Sequence, residues 1–196
     1  MNLVIIDYGA GNIQSIIHAF DRLGVRAHLS KKASEISTAD RVIFPGVGAA
    51  GSAMSQLKET GLDLLIPQLK QPVLGICLGM QLMCRHSAEN NTDGLGIFDV
   101  DVVEFDKTQL KVPQMGWNSL FDLKAPLFQH LPQDPYVYMV HSFYAPLCDQ
   151  TAAVATYGTN YSAALHRDNF WGTQFHPEKS SRVGAQILQQ FLSLTT

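Results

Sequence analysis

Val73-Leu74-Gly75-Ile76-Cys77-Leu78-Gly79-Met80-Gln81-Leu82-Met83 changes its periodicity halfway along. Its first four residues are an apolar run of strand length, and from Met80 onward the apolar spacing becomes helical. A strand, the frame Gly-x-Cys-x-Gly and a helix, in that order, make a nucleophile elbow. The nucleophile sits on a strained turn, and the flanking glycines let neighbouring backbone approach. Free N–H groups and the positive end of the dipole at a helix N-terminus favour a thiolate over a thiol. The N–H of Leu78 is left to stabilise an oxyanion. Most cysteines in reduced proteins are inert core residues, and the two glycines and the strand-to-helix position are what set Cys77 apart. Cys84 has no such frame and reads as core on the same helical face, while Cys148 falls in a loop-like stretch.

Outward from the elbow, the first half alternates strands with amphipathic helices. Residues 3–7, 26–29 and 41–44 read as strands like 73–76. Ile13, Ile16, Ile17, Phe20 and Leu23 recur at helical spacing before Gly24, and further helical segments lie within 49–69. This rhythm is that of a mostly parallel sheet with helices on both faces, an α/β fold. In the second half, residues 97–105, 136–143, 152–157, 162–166 and 170–175 are strand-like with short turns, predicting antiparallel strands added to the core. Residues 180–194 close the chain with a helix that carries Val183, Ile187, Leu188, Phe191 and Leu192 on one face. A single domain over residues 1–196 is expected.

The 196 residues, 46% of them hydrophobic, suffice for one core without disulfide staples. Fourteen Lys+Arg against 17 Asp+Glu give a formal charge of -3, so the chain lacks the basic face that nucleic acid or an anionic membrane requires of a partner. Residues 1–7 have no basic n-region and are interrupted by Asp7, and no run approaches the roughly 20 apolar residues of a membrane span. Three irregularly spaced cysteines without a Cys-x-x-Cys pair predict reduced thiols in the cytoplasm and no zinc site. Only 16% of residues are charged, where about 25% is typical, which points either to an uncharged polar surface or to a face covered by another protein.

A nucleophilic cysteine needs a base, and His176-Pro177-Glu178 offers one. Proline biases the residue before it toward extended backbone, so His176 and Glu178, continuing strand 170–175, would face the same side. The carboxylate then holds the imidazole as the third member of a triad does; the competing reading is a strand-end histidine beside a solvated glutamate. His18 and His86 in helical stretches, His28 and His166 on strands, and His130 before a proline turn read as structural or solvated. Pro45-Gly46-Val47-Gly48 follows strand 41–44, where glycine-flanked N–H groups can point into the ligand crevice of an open α/β sheet, or simply make a tight turn. Gly9-Ala10-Gly11-Asn12 has Gln14 in place of the third glycine of a dinucleotide site, which excludes that cofactor there. No cofactor or metal is expected.

Gly75-Ile76-Cys77-Leu78-Gly79-Met80-Gln81 together with His176-Pro177-Glu178 resembles the signature of the class I, triad-type glutamine amidotransferases, and the resemblance extends over the whole chain. Asp7-Tyr8-Gly9-Ala10-Gly11-Asn12, Pro45-Gly46-Val47-Gly48, Pro113-Gln114-Met115-Gly116-Trp117-Asn118, Tyr138-Met139-Val140-His141-Ser142-Phe143-Tyr144 and His176-Pro177-Glu178-Lys179-Ser180 are similar, more narrowly, to the branch of that family serving imidazole glycerol phosphate synthase in histidine biosynthesis. The resemblance implies a flavodoxin-like class I glutaminase fold. It implies that Cys77 attacks the side-chain amide of L-glutamine, that backbone N–H groups of Val47 and Leu78 hold the oxyanion, and that His176, oriented by Glu178, protonates the leaving ammonia and then activates water against the thioester. Gly46, Gly48, Gln81, Glu89, His141, Ser142 and Phe143 would hold the glutamine.

The same resemblance implies a partner, a separate cyclase subunit with a (β/α)8 barrel, in a heterodimer. It would receive the ammonia and convert the phosphoribulosyl intermediate PRFAR into imidazole glycerol phosphate and aminoimidazole carboxamide ribotide. Tyr8, Asn12, Met115, Trp117 and Lys179 would form the docking face, with Met115 and Trp117 as anchors in a glycine-containing turn. A peptide next to glycine rotates at modest steric cost, so the 45–48 loop can present or withdraw its N–H as the partner binds. The rival readings are a triad glutaminase serving anthranilate, guanylate or pyridoxal phosphate synthesis, a cysteine α/β-hydrolase, and a silent binding subunit. In the hydrolase the acid precedes the histidine as a separate element, whereas here Glu178 follows it.

Overall fold

Residues 3–6, 42–44 and 73–76 are apolar without alternation, as strands covered on both faces must be, and all are buried. In the computed structural model, which describes residues 1–9 and 13–194, they pair as the middle of a seven-stranded sheet. The strands are β1 (Leu3–Ile6), β2 (Ala27–Ser30), β3 (Arg41–Phe44), β4 (Val73–Ile76), β5 (Cys84–Ser87), β6 (Thr92–Asp93), β7 (Phe98–Glu104), β8 (Gln114–Ser119), β9 (Tyr136–His141), β10 (Phe143–Tyr144), β11 (Thr151–Tyr157), β12 (Thr159–Arg167) and β13 (Phe170–Thr173). The helices are α1 (Ile13–Arg22), α2 (Ala33–Ser37), α3 (Ala50–Thr60), α4 (Leu62–Leu65), α5 (Leu78–Met83) and α6 (Ser181–Ser193).

The main sheet runs β11-β12-β13-β4-β3-β1-β2. Its parallel part, β2-β1-β3-β4-β13, follows the flavodoxin-like strand order, with β13 returning late in the chain to lie beside β4. β12 and β11 extend it antiparallel, as the strand-like runs of the second half predict. Successive side chains of a strand face opposite sides, so Leu3 and Ile5 join Ile16 and Phe20 of α1 and Ile187, Leu188 and Phe191 of α6 in one core, while Val4 and Ile6 join Met54 and Leu57 of α3 in the other. A four-stranded sheet, β10-β7-β5-β6, and the antiparallel pair β8-β9 complete the fold.

Two local expectations are corrected. The helix after the elbow ends at Met83, and residues 84–87, including His86, form β5. The carbonyls of Leu82, Met83 and Cys84 are taken by the N–H groups of Leu95, Ile97 and Gly96, which removes the acceptors a longer helix would use. Cys84 is buried, as expected, and burial raises its thiol pKa. Met115 and Trp117 lie not in a turn but on β8, which pairs residue by residue with β9. Among the described residues no helix is long and apolar enough to cross a membrane.

Candidate active site

The carboxyl ends of β3, β4 and β13 converge where open α/β sheets hold ligands. Cys77 follows β4 with φ 53° and ψ −110°, a sparsely populated conformation for a residue with a side chain. The turn is pinned on both sides: the Cys77 N–H donates to Thr173 O (2.8 Å), and its carbonyl accepts from Gln81 N–H (3.2 Å). A Cβ at Gly79 would stand 2.0 Å from the Phe44 carbonyl oxygen, and one at Gly46 would stand 2.6 Å from Gly79 N. The second glycine of the frame is therefore required by the end of β3, which presses against the first turn of α5, and the first by α5 itself, since a Cβ at Gly75 would stand 2.9 Å from the Gly79 carbonyl carbon.

His176 has extended backbone (φ −96°, ψ 95°), as expected before proline, but residues 177–179 close into a 3-10 turn rather than continuing the strand. The turn still delivers Glu178: its Oε1 accepts from His176 Nδ1 at 2.8 Å, with both side chains buried. Burial disfavours the imidazolium, but hydrogen bonding to the Cys77 sulfur and to Glu178, reinforced by their charges, outweighs it and holds the His176 pKa up at about 10. The carboxylate also fixes the tautomer, leaving Nε2 for proton transfer on the sulfur side.

A cavity of ≈ 320 Å³ opens over the sulfur, and its walls include Val47, Gly48, Leu78, Gln81, Glu89, His141, Ser142 and Phe143 as well as Cys77 and His176. Of the residues expected to hold a ligand, Gly46 alone is not in this wall; it lines a narrower neighbouring cavity with His176, Glu178 and Lys179. Gly48 has φ +99°, so the 45–48 loop depends on glycine at that point. Glu89 accepts from the N–H of Ala50 (2.8 Å) at the start of α3, a helix whose N-cap, Ala49, has no side-chain acceptor of its own. His141 donates from Nδ1 to Phe143 O (2.8 Å), and burial pushes its pKa down to about 4, so the ring is neutral.

Two residues escaped the sequence reading. Gln174 is fully buried, and its Nε2 lies 3.7 Å from the Cys77 sulfur. Its sequence signal is a long polar side chain next to Thr173 in a buried, largely apolar run, two residues before His176. Tyr161, buried between Gln114 and His141, hydrogen-bonds the Gln114 side chain at 3.0 Å.

The residues expected on a docking face divide. Met115 and Trp117 are 66% and 54% exposed, and Lys179 is exposed beside the triad. Tyr8 does not share this face: it is 4% exposed, and its hydroxyl donates to Pro45 O at 2.8 Å, so it braces the 45–48 loop from within. Asn12 lies outside the described residues. β9 links the exposed hairpin to the triad, because Tyr138, opposite Trp117, accepts the His176 N–H through its carbonyl (3.0 Å).

The family described as "Glutamine amidotransferase class-I" matches residues 4–194. Two similar chains are both described as imidazole glycerol phosphate synthase subunit HisH. The one from Bacteroides thetaiotaomicron is 54% identical over 99% of this chain and 100% of its own, and the one from Shewanella sediminis is 45% identical over 97% of this chain and 90% of its own. A solved structure described as a glutamine amidotransferase superposes with a TM-score of 0.75 at 16% identity, covering 97% of each chain, and so shares the fold.

Proposed function

The chain belongs to the class I glutamine amidotransferase family, and from that premise we propose that it is the glutaminase subunit of an imidazole glycerol phosphate synthase in histidine biosynthesis. The observation that carries the chemistry is the His176 ring, bonded to Glu178 and lining the same cavity as the Cys77 sulfur. Full-length identity to HisH chains carries the choice of acceptor pathway over anthranilate, guanylate or pyridoxal phosphate synthesis. The α/β-hydrolase and silent-subunit readings have no comparable support.

Glutamine enters the cavity with its side-chain amide at the elbow. Cys77 thiolate attacks the amide carbon, and the tetrahedral oxygen is held by the N–H groups of Leu78, at the start of α5, and Val47, on the loop above it. The imidazolium of His176 gives its proton to the departing nitrogen, releasing ammonia and leaving a γ-glutamyl thioester. The neutral ring then takes a proton from water as it attacks the thioester, and glutamate leaves with the thiolate restored. Glu178 keeps the ring oriented through both steps. The half-buried Glu89 carboxylate suits the substrate ammonium, and Gln81, His141, Ser142 and Phe143 line the same cavity.

The ammonia is consumed on a cyclase subunit with a (β/α)8 barrel, in a cytoplasmic heterodimer, where PRFAR becomes imidazole glycerol phosphate and aminoimidazole carboxamide ribotide. Met115 and Trp117 supply apolar anchors for that docking and Lys179 a charge; this reading is supported by exposed apolar side chains on a strand pair hydrogen-bonded to the triad segment. The test is copurification with a candidate cyclase, followed by an assay of glutamine-dependent imidazole glycerol phosphate formation. A Cys77→Ala chain that still releases ammonia from glutamine at the wild-type rate removes the nucleophile, and equal glutamine turnover with and without cyclase and nucleotide removes the gating role of the 45–48 loop.

A further inference from the structure

Behind the cavity, a line of buried side chains has a direction. The Phe143 carbonyl can only accept, and it takes hydrogens from His141 Nδ1 (2.8 Å) and Gln81 Nε2 (2.9 Å). Its two lone-pair sites are then occupied, and the Gln81 amide is fixed with its nitrogen toward Phe143. The second hydrogen of that nitrogen reaches Gln174 Oε1 at 2.9 Å. Gln174 therefore accepts on its oxygen side, and its own NH2 group is turned toward the Cys77 sulfur 3.7 Å away.

We infer that Gln174 is a further catalytic residue, a neutral donor whose amide N–H stabilises the Cys77 thiolate, with Gln81 and the Phe143 carbonyl holding the amide in the donating orientation. The inference rests on the reading of Cys77 as nucleophile.

Three observations support it. Gln174 is 0% exposed, so its amide has no water to turn toward, and a donor inside the protein is far stronger than one in solvent. Its backbone is held by the bond from its N–H to Ala163 O (2.8 Å), which fixes the root of the side chain. The carbonyl of Val140 also lies near the sulfur, at 3.8 Å. A thiol can donate to that oxygen, whereas a thiolate is repelled by it, so a donor on another side of the sulfur shifts the balance toward the charged form. His176 supplies one such donor and is consumed as an acid in the first step; Gln174 does not titrate and stays in place through the cycle. Gln174 and His176 stand two residues apart in the bend that follows β13, and Phe175 between them enters the core.

The test is the pH profile of Cys77 alkylation by iodoacetamide in the full chain, wild type against Gln174→Met, a substitution of similar length that removes the donor. Charge-assisted hydrogen bonds of this kind correspond to about one to two orders of magnitude in an equilibrium. Gln174→Met is therefore expected to move the alkylation midpoint up by about one to two pH units and to lower kcat for glutamine hydrolysis by about tenfold or more with little change in KM. A variant with a lower Tm but the wild-type midpoint means that the amide only fills space, and overturns the inference. If the variant does not fold, the wild-type chain labelled with 15N at glutamine side chains answers instead: the Gln174 NH2 resonances move as Cys77 ionises, and resonances that stay still overturn it. Failure of the underlying reading is distinct, since there iodoacetamide shows no preference for Cys77 in the wild type.

Discussion

Gly79→Ala puts a methyl group where the elbow and the end of β3 meet. The Cβ would stand 2.0 Å from the Phe44 oxygen and 2.9 Å from its carbonyl carbon, whereas real Cβ contacts essentially never fall below 3.0 Å, so the two segments must separate by at least about 1 Å. Neither has free space to move into. Phe44 is buried within a β3 strand paired on both sides, and every residue of α5 is buried. Overpacking of this kind costs about 1–3 kcal/mol, which for a chain of this size corresponds to a fall in Tm of about 2–12 °C. The displaced atoms include the Leu78 N–H and the Cys77 backbone. A misplacement of about 1 Å at a reacting centre costs on the order of 100-fold in rate. The assay pairs thermal melting with glutamate release in the presence of the cyclase subunit. Gly24→Ala is the control: it meets nothing within 4 Å but has φ +74°, so it is expected to lose about 1–2 kcal/mol of stability and none of the rate per folded molecule. Gly79→Ala with wild-type kcat/KM would refute the close packing of β3 against the elbow as the reason for the glycine.

Tyr8→Phe removes the buried donor to Pro45 O and leaves that carbonyl unpaired, which is expected to cost about 1–3 kcal/mol in a denaturation experiment and to lower glutamine turnover by loosening the 45–48 loop; wild-type stability and turnover together would contradict the bracing role. The His176 pKa of about 10 in the folded chain lies above the ordinary 6.5, so its contribution to stability is fully present below about pH 6.5 and is lost as the pH rises through about 10. Imidazole NMR should place the His176 midpoint near 10 in the wild type and lower in Cys77→Ala, where the leading raising interaction is gone; an unchanged midpoint in the variant would show that the sulfur does not hold the proton.

Much of the fold was legible because its signals are local. The apolar runs of β1, β3 and β4 and the helical spacing of α1 and α6 depend only on which face each element must bury. β5 and β8 were not legible in the same way. Residues 84–87 follow a helix and carry no strand pattern, and they extend because the chain at 95–97 takes the carbonyls that would continue α5. β8 alternates buried Gln114 with exposed Met115 and Trp117 around Gly116, and only its pairing with β9 makes that pattern a strand.

The site divides along the same line. Cys77 in its glycine frame, and His176 two residues before Glu178, could be read from the chain because a strained turn and a short reach both leave marks at fixed sequence spacing. The positions of Glu89 against Ala50, Tyr8 against Pro45 and Gln174 against Cys77 leave no such mark, since each joins segments 37 or more residues apart. From the sequence alone came the elbow cysteine, the neighbouring His176–Glu178 pair and the alternating α/β architecture, which are set by local backbone and hydrophobic pattern. Tertiary structure alone decided which buried polar groups surround the sulfur, because hydrogen bonds in a core are chosen by whatever the packing brings within reach.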